Sequence, residues 1–319
     1  MNWRSFRSWR SFGYWHEAVL IMLVLMLFGY AAMVDAKFLE PATQLGLSSD
    51  VWELALVALP MTAIIITAGI DLSVGSTMAL AAVVLGLCFE AGMNPYLAAL
   101  AAVATGAACG ALNGVAIAGL KVHPLIVTLA TLAAYRGVAE GISLGRPISG
   151  FPDAFTALGS GSLLGVPIPG LIFAVLAVVA AVVLARTPFG LSLYAIGHNP
   201  VASRYSGLPV ARITVTLYTM AGAIAGLAAA IYVARRNTAK ADIGSGLELD
   251  VITAVVLGGT SIFGGSGRIV GTLLGVLAIH ETRKFVGWHW EREELNVIVV
   301  GGLLIAAVLI NRLFEKKAR

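Results

Sequence analysis

Ten apolar runs, joined by short polar connections, leave this chain few ways to fold. They are Ala18 to Val34, Val51 to Ala68, Val74 to Ala91, Tyr96 to Ala118, Pro124 to Ser143, Gly170 to Ala185, Ile213 to Val233, Leu249 to Phe263, Ile269 to Phe285 and Leu295 to Leu313. Roughly 20 helical residues cross a bilayer, so most runs match one crossing and Leu249 to Phe263 reads as a short or broken helix. Charged residues make up 12% of the chain and hydrophobic ones 59%; soluble domains carry about twice that charge. With a mean hydropathy of +0.90, the reading is an all-α polytopic membrane protein, one transmembrane domain over residues 1–319 with about ten crossings. Arg4, Arg7 and Arg10 precede the first run. That run exceeds a signal-peptide core and nine similar runs follow, so it reads as a retained first helix.

Twelve of the 21 Lys and Arg fall on one side if the N-terminus is inside, among them Arg186, Arg204, Arg212 and Lys316, which fits the positive-inside rule. The expected arrangement is N-in and C-in: residues 1–17 inside, 144–169 an outer loop, 186–212 an inner loop and 314–319 an inner tail. Ten crossings of that kind divide into two five-helix halves of inverted orientation. Ala82 to Gly86 and Ala254 to Gly258 share the letters Ala-Val-Val-Leu-Gly, a hint of that symmetry. The net charge of +4 is small and its basic residues sit at the ends of apolar runs, which argues against a nucleic-acid partner. Cys88 and Cys109 lie inside apolar runs, as small buried residues do, and imply no disulfide or metal site.

Between the second and third runs stands Gly69-Ile70-Asp71-Leu72-Ser73-Val74-Gly75-Ser76. An ionisable residue there is costly in lipid and is by default a functional-site candidate. Asp71 either lines a water-filled path or caps the next helix by accepting from the Ser73 or Val74 N–H, and the two are compatible. Gly69 and Gly75 are expected to let the chain turn, as are Gly264, Gly265 and Gly267 in a second break. Polarity within apolar runs selects Asp71, Ser73, Asn113, Thr128 and Thr131 as translocation-path candidates, although Ser and Thr also bond their own helix backbone. Gly106, Gly110 and Gly114, with Ala102, form a small-residue stripe, and the spacing recurs at Gly222 and Gly226 and at Gly271 and Gly275, as close helix packing requires. Arg136 and Glu140, four apart, can pair.

The loop after Ala185 ends in Asn199-Pro200-Val201-Ala202-Ser203-Arg204-Tyr205-Ser206-Gly207. Asn at the N-cap, Pro in the first turn and Gly as a stop specify a helix of about two turns over Pro200 to Ser206. Such a helix either docks a partner or rests on lipid headgroups.

These motifs carry a resemblance. The Gly69 to Ser76 break, the Arg186 to Leu208 loop, and Leu249 to Gly275 with Ala254-Val255-Val256-Leu257-Gly258-Gly259-Thr260 and Gly264-Gly265-Ser266-Gly267 resemble permeases of ABC sugar importers of the ribose, xylose and autoinducer-2 type. Ala58-Leu59-Pro60, Asn113, Val122 to Leu132, Gly150-Phe151-Pro152 and Ala154-Phe155 are similar to the autoinducer-2 and rhamnose branch. His198 stands where that family commonly has a second glycine. The resemblance implies that Asn199 to Gly207 is a coupling helix held by a cytoplasmic ABC ATPase, which binds the ATP and Mg. It further implies a second permease subunit, a periplasmic solute-binding protein and a bacterial inner-membrane location.

The residues agree that energy comes from elsewhere, because no lysine follows a glycine as a P-loop requires. His280-Glu281 lacks the second histidine of a zincin, position 284 being Lys284, and no catalytic set converges in sequence. The expected function is a non-enzymatic permease for a small sugar or sugar-like molecule. Open beside it are an ion-coupled secondary transporter or channel using Asp71, and an amino-acid or nucleoside permease of the same superfamily.

Overall fold

A computed structural model describes residues 3–290, 294–296, 298–303 and 305. The end of the run Leu295 to Leu313 and the tail 314–319 lie outside the described residues. The elements in chain order are α1 (Trp3–Val34), α2 (Pro41–Leu47), α3 (Trp52–Ile66), α4 (Val74–Glu90), α5 (Pro95–Leu120), α6 (Pro124–Ser143), β1 (Ile148–Ser149), α7 (Asp153–Ser160), β2 (Ser162–Leu163), β3 (Val166–Pro167), α8 (Ile168–Arg186), α9 (Pro188–His198), α10 (Pro200–Tyr205), α11 (Val210–Arg236), β4 (Thr238–Ala239), α12 (Leu247–Leu257) and α13 (Ile269–Trp290). β1 pairs antiparallel with β4, and β2 with β3.

The fold is that of an all-α membrane protein. Among the described residues five helices are long and apolar enough to cross a bilayer: α1 from Glu17, α5, α6, α8 and α11. With 15, 17 and 11 residues, α3, α4 and α12 are shorter, although α3 and most of α4 are buried. A short helix needs its ends satisfied inside protein, because lipid offers no hydrogen bonds. The expected short run Leu249 to Phe263 is realised as α12, Leu247–Leu257, followed by an irregular segment to Arg268.

Small residues position the centre of the bundle. α11 packs lengthwise on α5, and a Cβ on Gly106, Gly110 or Gly222 would overlap the facing backbone at Gly222, Tyr218 or Gly106. The glycine stripes of α5 and α11 are therefore one interface, built by backbones in direct contact. Gly271 and Gly275 of α13 meet Gly258 and Ala254 at the end of α12 in the same way. The stretch expected as a plain loop over 144–169 holds α7 and the β2–β3 hairpin, and Gly159 of α7 lies against the Arg235 backbone.

Candidate functional site

The first break begins where α3 stops. Ala68 takes a left-handed conformation (φ 60°), its N–H donating to Ile65 O at 2.9 Å and the Gly69 N–H to Ile64 O at 3.0 Å, a Schellman-type ending. The expectation that Gly69 and Gly75 supply the turn is corrected here: neither has a positive φ. They are needed for room. A Cβ on Gly69 would sit 2.9 Å from the Tyr218 hydroxyl, and one on Gly75, inside α4, would overlap Gly244 O. In the second break Gly264 (φ 83°) and Gly265 (φ 76°) are turn residues as expected. Gly267 has no positive φ and instead makes space beside Thr260.

Four of the five path candidates come together. Asp71 Oδ1 accepts from the Ser73 N–H at 2.8 Å and the Ser73 hydroxyl at 2.6 Å, so it closes a turn ahead of α4 and does not reach the Val74 N–H. Ser73 Oγ in turn accepts from Asn113 Nδ2 at 2.8 Å. The Thr128 hydroxyl donates to Ile70 O at 3.1 Å, tying α6 to the break. Thr131 stays apart, its hydroxyl turned to Val127 O and Thr128 O of its own helix. Asp71, Ser73, Asn113 and Thr128 are all buried, so in this conformation the cluster is sealed.

Tyr135, which the sequence reading missed, completes the network: its hydroxyl contacts Cys109 O at 2.9 Å and Asn113 Oδ1 at 3.2 Å. Its position seven residues after Thr128, on the same face of α6, was the available signal. Arg136, placed by its spacing where it could pair with Glu140, donates to the carbonyls of Ala241 and Ile243. Among the described residues no three His, Cys, Asp or Glu side chains gather as a metal site.

The loop after Ala185 contains a helix the sequence reading passed over. α9 starts with Thr187 as N-cap, its hydroxyl accepting from the Gly190 N–H at 3.2 Å, and with Pro188 in the first turn. α10 follows as expected locally: Asn199 Oδ1 accepts from the Ala202 N–H at 2.9 Å, Ser206 closes the helix and Gly207 has φ 85°. Val201, Ala202, Arg204 and Tyr205 are exposed, and Ser203 is buried. His198 and Asn199 form the joint between the two helices, with Asn199 extended, so a histidine serves where a second glycine was expected.

α9 seats on both breaks at once. A Cβ on Gly197 would overlap Ile66 O and come within 2.5 Å of the Gly265 nitrogen. The Gly265 N–H donates to Ile66 O at 2.8 Å, joining the last carbonyl of α3 to the second break. The Tyr194 hydroxyl donates to Gly267 O at 2.9 Å, the His198 ring lies against Gly265, and Thr62 and Thr272 share a hydrogen bond of 2.7 Å across α3 and α13. Three chain segments, distant in sequence, thus meet backbone to backbone at Gly197, Ile66 and Gly265. Sequence spacing alone carries no signal for that meeting.

The family described as branched-chain amino acid transport system / permease component matches residues 45–308. The chain is 39% identical over 295 residues to the ribose import permease protein RbsC of Bacillus subtilis (strain 168), covering 92% of this chain and 90% of that protein. It is 36% identical over 307 residues to the autoinducer 2 import system permease protein LsrD of Yersinia enterocolitica, covering 94% and 92%. It is 35% identical over 301 residues to LsrD of Escherichia coli O9:H4, covering 92% and 91%. These identities lie close together and single out neither branch. No solved structure matches the chain.

Proposed function

We propose a role for this chain from one established premise: it belongs to the family of branched-chain amino acid transport system permease components. It is the multi-pass permease subunit of an ATP-binding-cassette importer in a bacterial inner membrane. Its cargo is a small sugar or sugar-like molecule, the class named in its ribose and autoinducer-2 relatives. In this reading the chain makes ten crossings in two inverted halves, with both termini, α9 and α10 on the cytoplasmic side. ATP and Mg are bound by a separate ATPase, a second permease subunit completes the path, and a periplasmic binding protein delivers the cargo.

The observation that carries this reading is the seat of α9. ATP-driven closure of the ATPase displaces α10, and α9 passes the displacement to Ile66 and Gly265 together. No side chain intervenes at Gly197, so there is little slack, and rigid close-packed contacts transmit displacement. The end of α3 and the second break then move as one body, and the turn from Ala68 to Ser73 tilts α4 by a hinge-like change. The permease does no covalent chemistry.

Purification of the tagged chain from native membranes tests the reading. A P-loop ATPase is expected with the parent and is lost with Arg204→Glu on the exposed face of α10. Gly197→Ala keeps the ATPase but abolishes uptake, because the added methyl forces α9 off Ile66. Absence of any ATPase from the parent, even after cross-linking, overturns the importer. Uptake that collapses with the proton gradient while ATP remains then identifies ion coupling through Asp71.

A further inference from the structure

Tyr218, in the third turn of α11, brings its hydroxyl to the first break without a partner there. The side chain is 1% exposed, and a Cβ on Gly69 would lie 2.9 Å from the phenolic oxygen. Yet among the described residues nothing donates to that hydroxyl or accepts from it. A buried hydroxyl left unpaired carries its full desolvation cost, and a phenylalanine would fill the same space without it. Such a group in a native interior needs a reason.

A fitting acceptor stands close by. Among the described residues both bonds that Asp71 accepts end on Oδ1, so Oδ2 is left for a further donor. Asp71 lies within electrostatic reach of Tyr218, as it does of Tyr135. Tyr135 is the contrast, its hydroxyl being already engaged with Cys109 O and Asn113 Oδ1. Tyr218 and Asn113 belong to one body, because α5 and α11 meet backbone to backbone at Gly110 and Tyr218 and at Gly106 and Gly222. That body presents two donors to the break. Only Asn113 is used in the sealed state, through Ser73 Oγ at 2.8 Å.

We propose that Tyr218 is a positioning residue for the second transport state. When the end of α3 moves, the break slides along α5 and α11, Ser73 leaves Asn113, and Asp71 Oδ2 takes the Tyr218 hydroxyl. Gly69 has no side chain to bar the way. One hydrogen bond is given up and one is gained, so the two registers stay close in energy, as a two-state element requires. The unpaired hydroxyl raises the sealed state and is relieved in the moved one, which eases the step that α9 drives. The inference rests on the permease reading and adds to it the contact that holds the displaced break.

The test uses the full importer in vesicles, with Tyr218→Phe, Tyr135→Phe, Asp71→Asn and the double variant Tyr218→Phe with Asp71→Asn. Without nucleotide, purified Tyr218→Phe melts at or above the parent temperature, whereas Tyr135→Phe melts below it. Tyr218→Phe lowers the maximal rate of ATP-driven D-ribose uptake about tenfold at unchanged KM, as loss of one hydrogen bond to a charged group does. Asp71→Asn removes the same charged acceptor, so the double variant is no slower than the slower single one. A melting temperature lowered by several degrees in Tyr218→Phe overturns the proposal, since the hydroxyl then has a partner in the sealed state, a buried water included. An unchanged maximal rate also overturns it, as do losses that multiply in the double variant. A parent that hydrolyses ATP without taking up D-ribose overturns the sugar reading alone, and the same variants are then compared by their rates of ATP hydrolysis. A parent with neither activity overturns the permease reading and the transport role of Tyr218 with it.

Discussion

The break after α3 is held chiefly by a network of side chains, whereas the one before α13 is held chiefly by close backbone contact, with the Tyr194 hydroxyl on Gly267 O beside it. In the first, Asp71, Ser73, Asn113, Tyr135 and Thr128 form a chain of hydrogen bonds around the turn. In the second, Gly258, Gly264, Gly265, Gly271 and Gly275 bring chain segments into direct contact. Polar side chains fix a direction but can re-pair, so a network of this kind has alternatives. Backbone contact has none, because any added carbon needs space that the structure lacks. The first break is therefore suited to rearrange and the second to transmit.

That contrast orders the expected effects of substitution. Gly275→Val places carbon on Ala254 O and should destabilise by more than about 3 kcal/mol, beyond ordinary overpacking. Size-exclusion chromatography in detergent should show loss of the monodisperse species, and a normal profile would mean that α12 and α13 can part. Asp71→Ala removes two bonds at the turn and strands the Ser73 N–H, a cost of about 2 kcal/mol in thermal unfolding of the purified protein. Asp71→Asn keeps Oδ1 and should recover most of that loss, and retained uptake by this variant would show that the charge itself is dispensable.

Tyr135→Phe deletes the hydroxyl that reaches Cys109 O and Asn113 Oδ1 and should cost about 1 kcal/mol. No change in melting temperature would remove Tyr135 from the network. The smallest effect lies away from both breaks. The Trp288 indole N–H at 2.8 Å and then the Lys37 N–H hold the Asp35 carboxyl below its usual range. A carboxyl lowered by folding adds stability above its unfolded pKa and loses it as pH falls through the folded value. Trp288 fluorescence should therefore change only in acid, below the ordinary aspartate range, and Asp35→Asn should remove the change.

Much of this was legible from residue chemistry. Asn199 and Pro200 start α10, Gly207 ends it, and Gly264 and Gly265 turn the second break, because caps and left-handed residues act within a few positions. The glycine stripes announced close packing without naming partners. Asp71, Ser73 and Asn113 stood out as polar groups in apolar runs, since lipid makes each one costly. Gly69 and Gly75 were misjudged for a physical reason: in a membrane bundle glycine serves proximity as often as dihedral freedom, and one sequence cannot separate the two. α9 was overlooked although Thr187-Pro188 is a good start, its pattern being hidden among other apolar residues.

The sequence by itself determined the solvent this chain folds in, its all-α class, the start and stop of α10 and the family to which it belongs. These follow from transfer energies and local backbone preferences that each segment carries with it. Only the tertiary structure decided that Gly197, Ile66 and Gly265 share one point, that Tyr135 completes the Asp71 network and that Glu53 pairs with Arg235 across 182 residues. Such meetings depend on which helix faces pack, and between apolar helices in lipid that choice is made by shape and small-residue contact, which no single run of residues encodes.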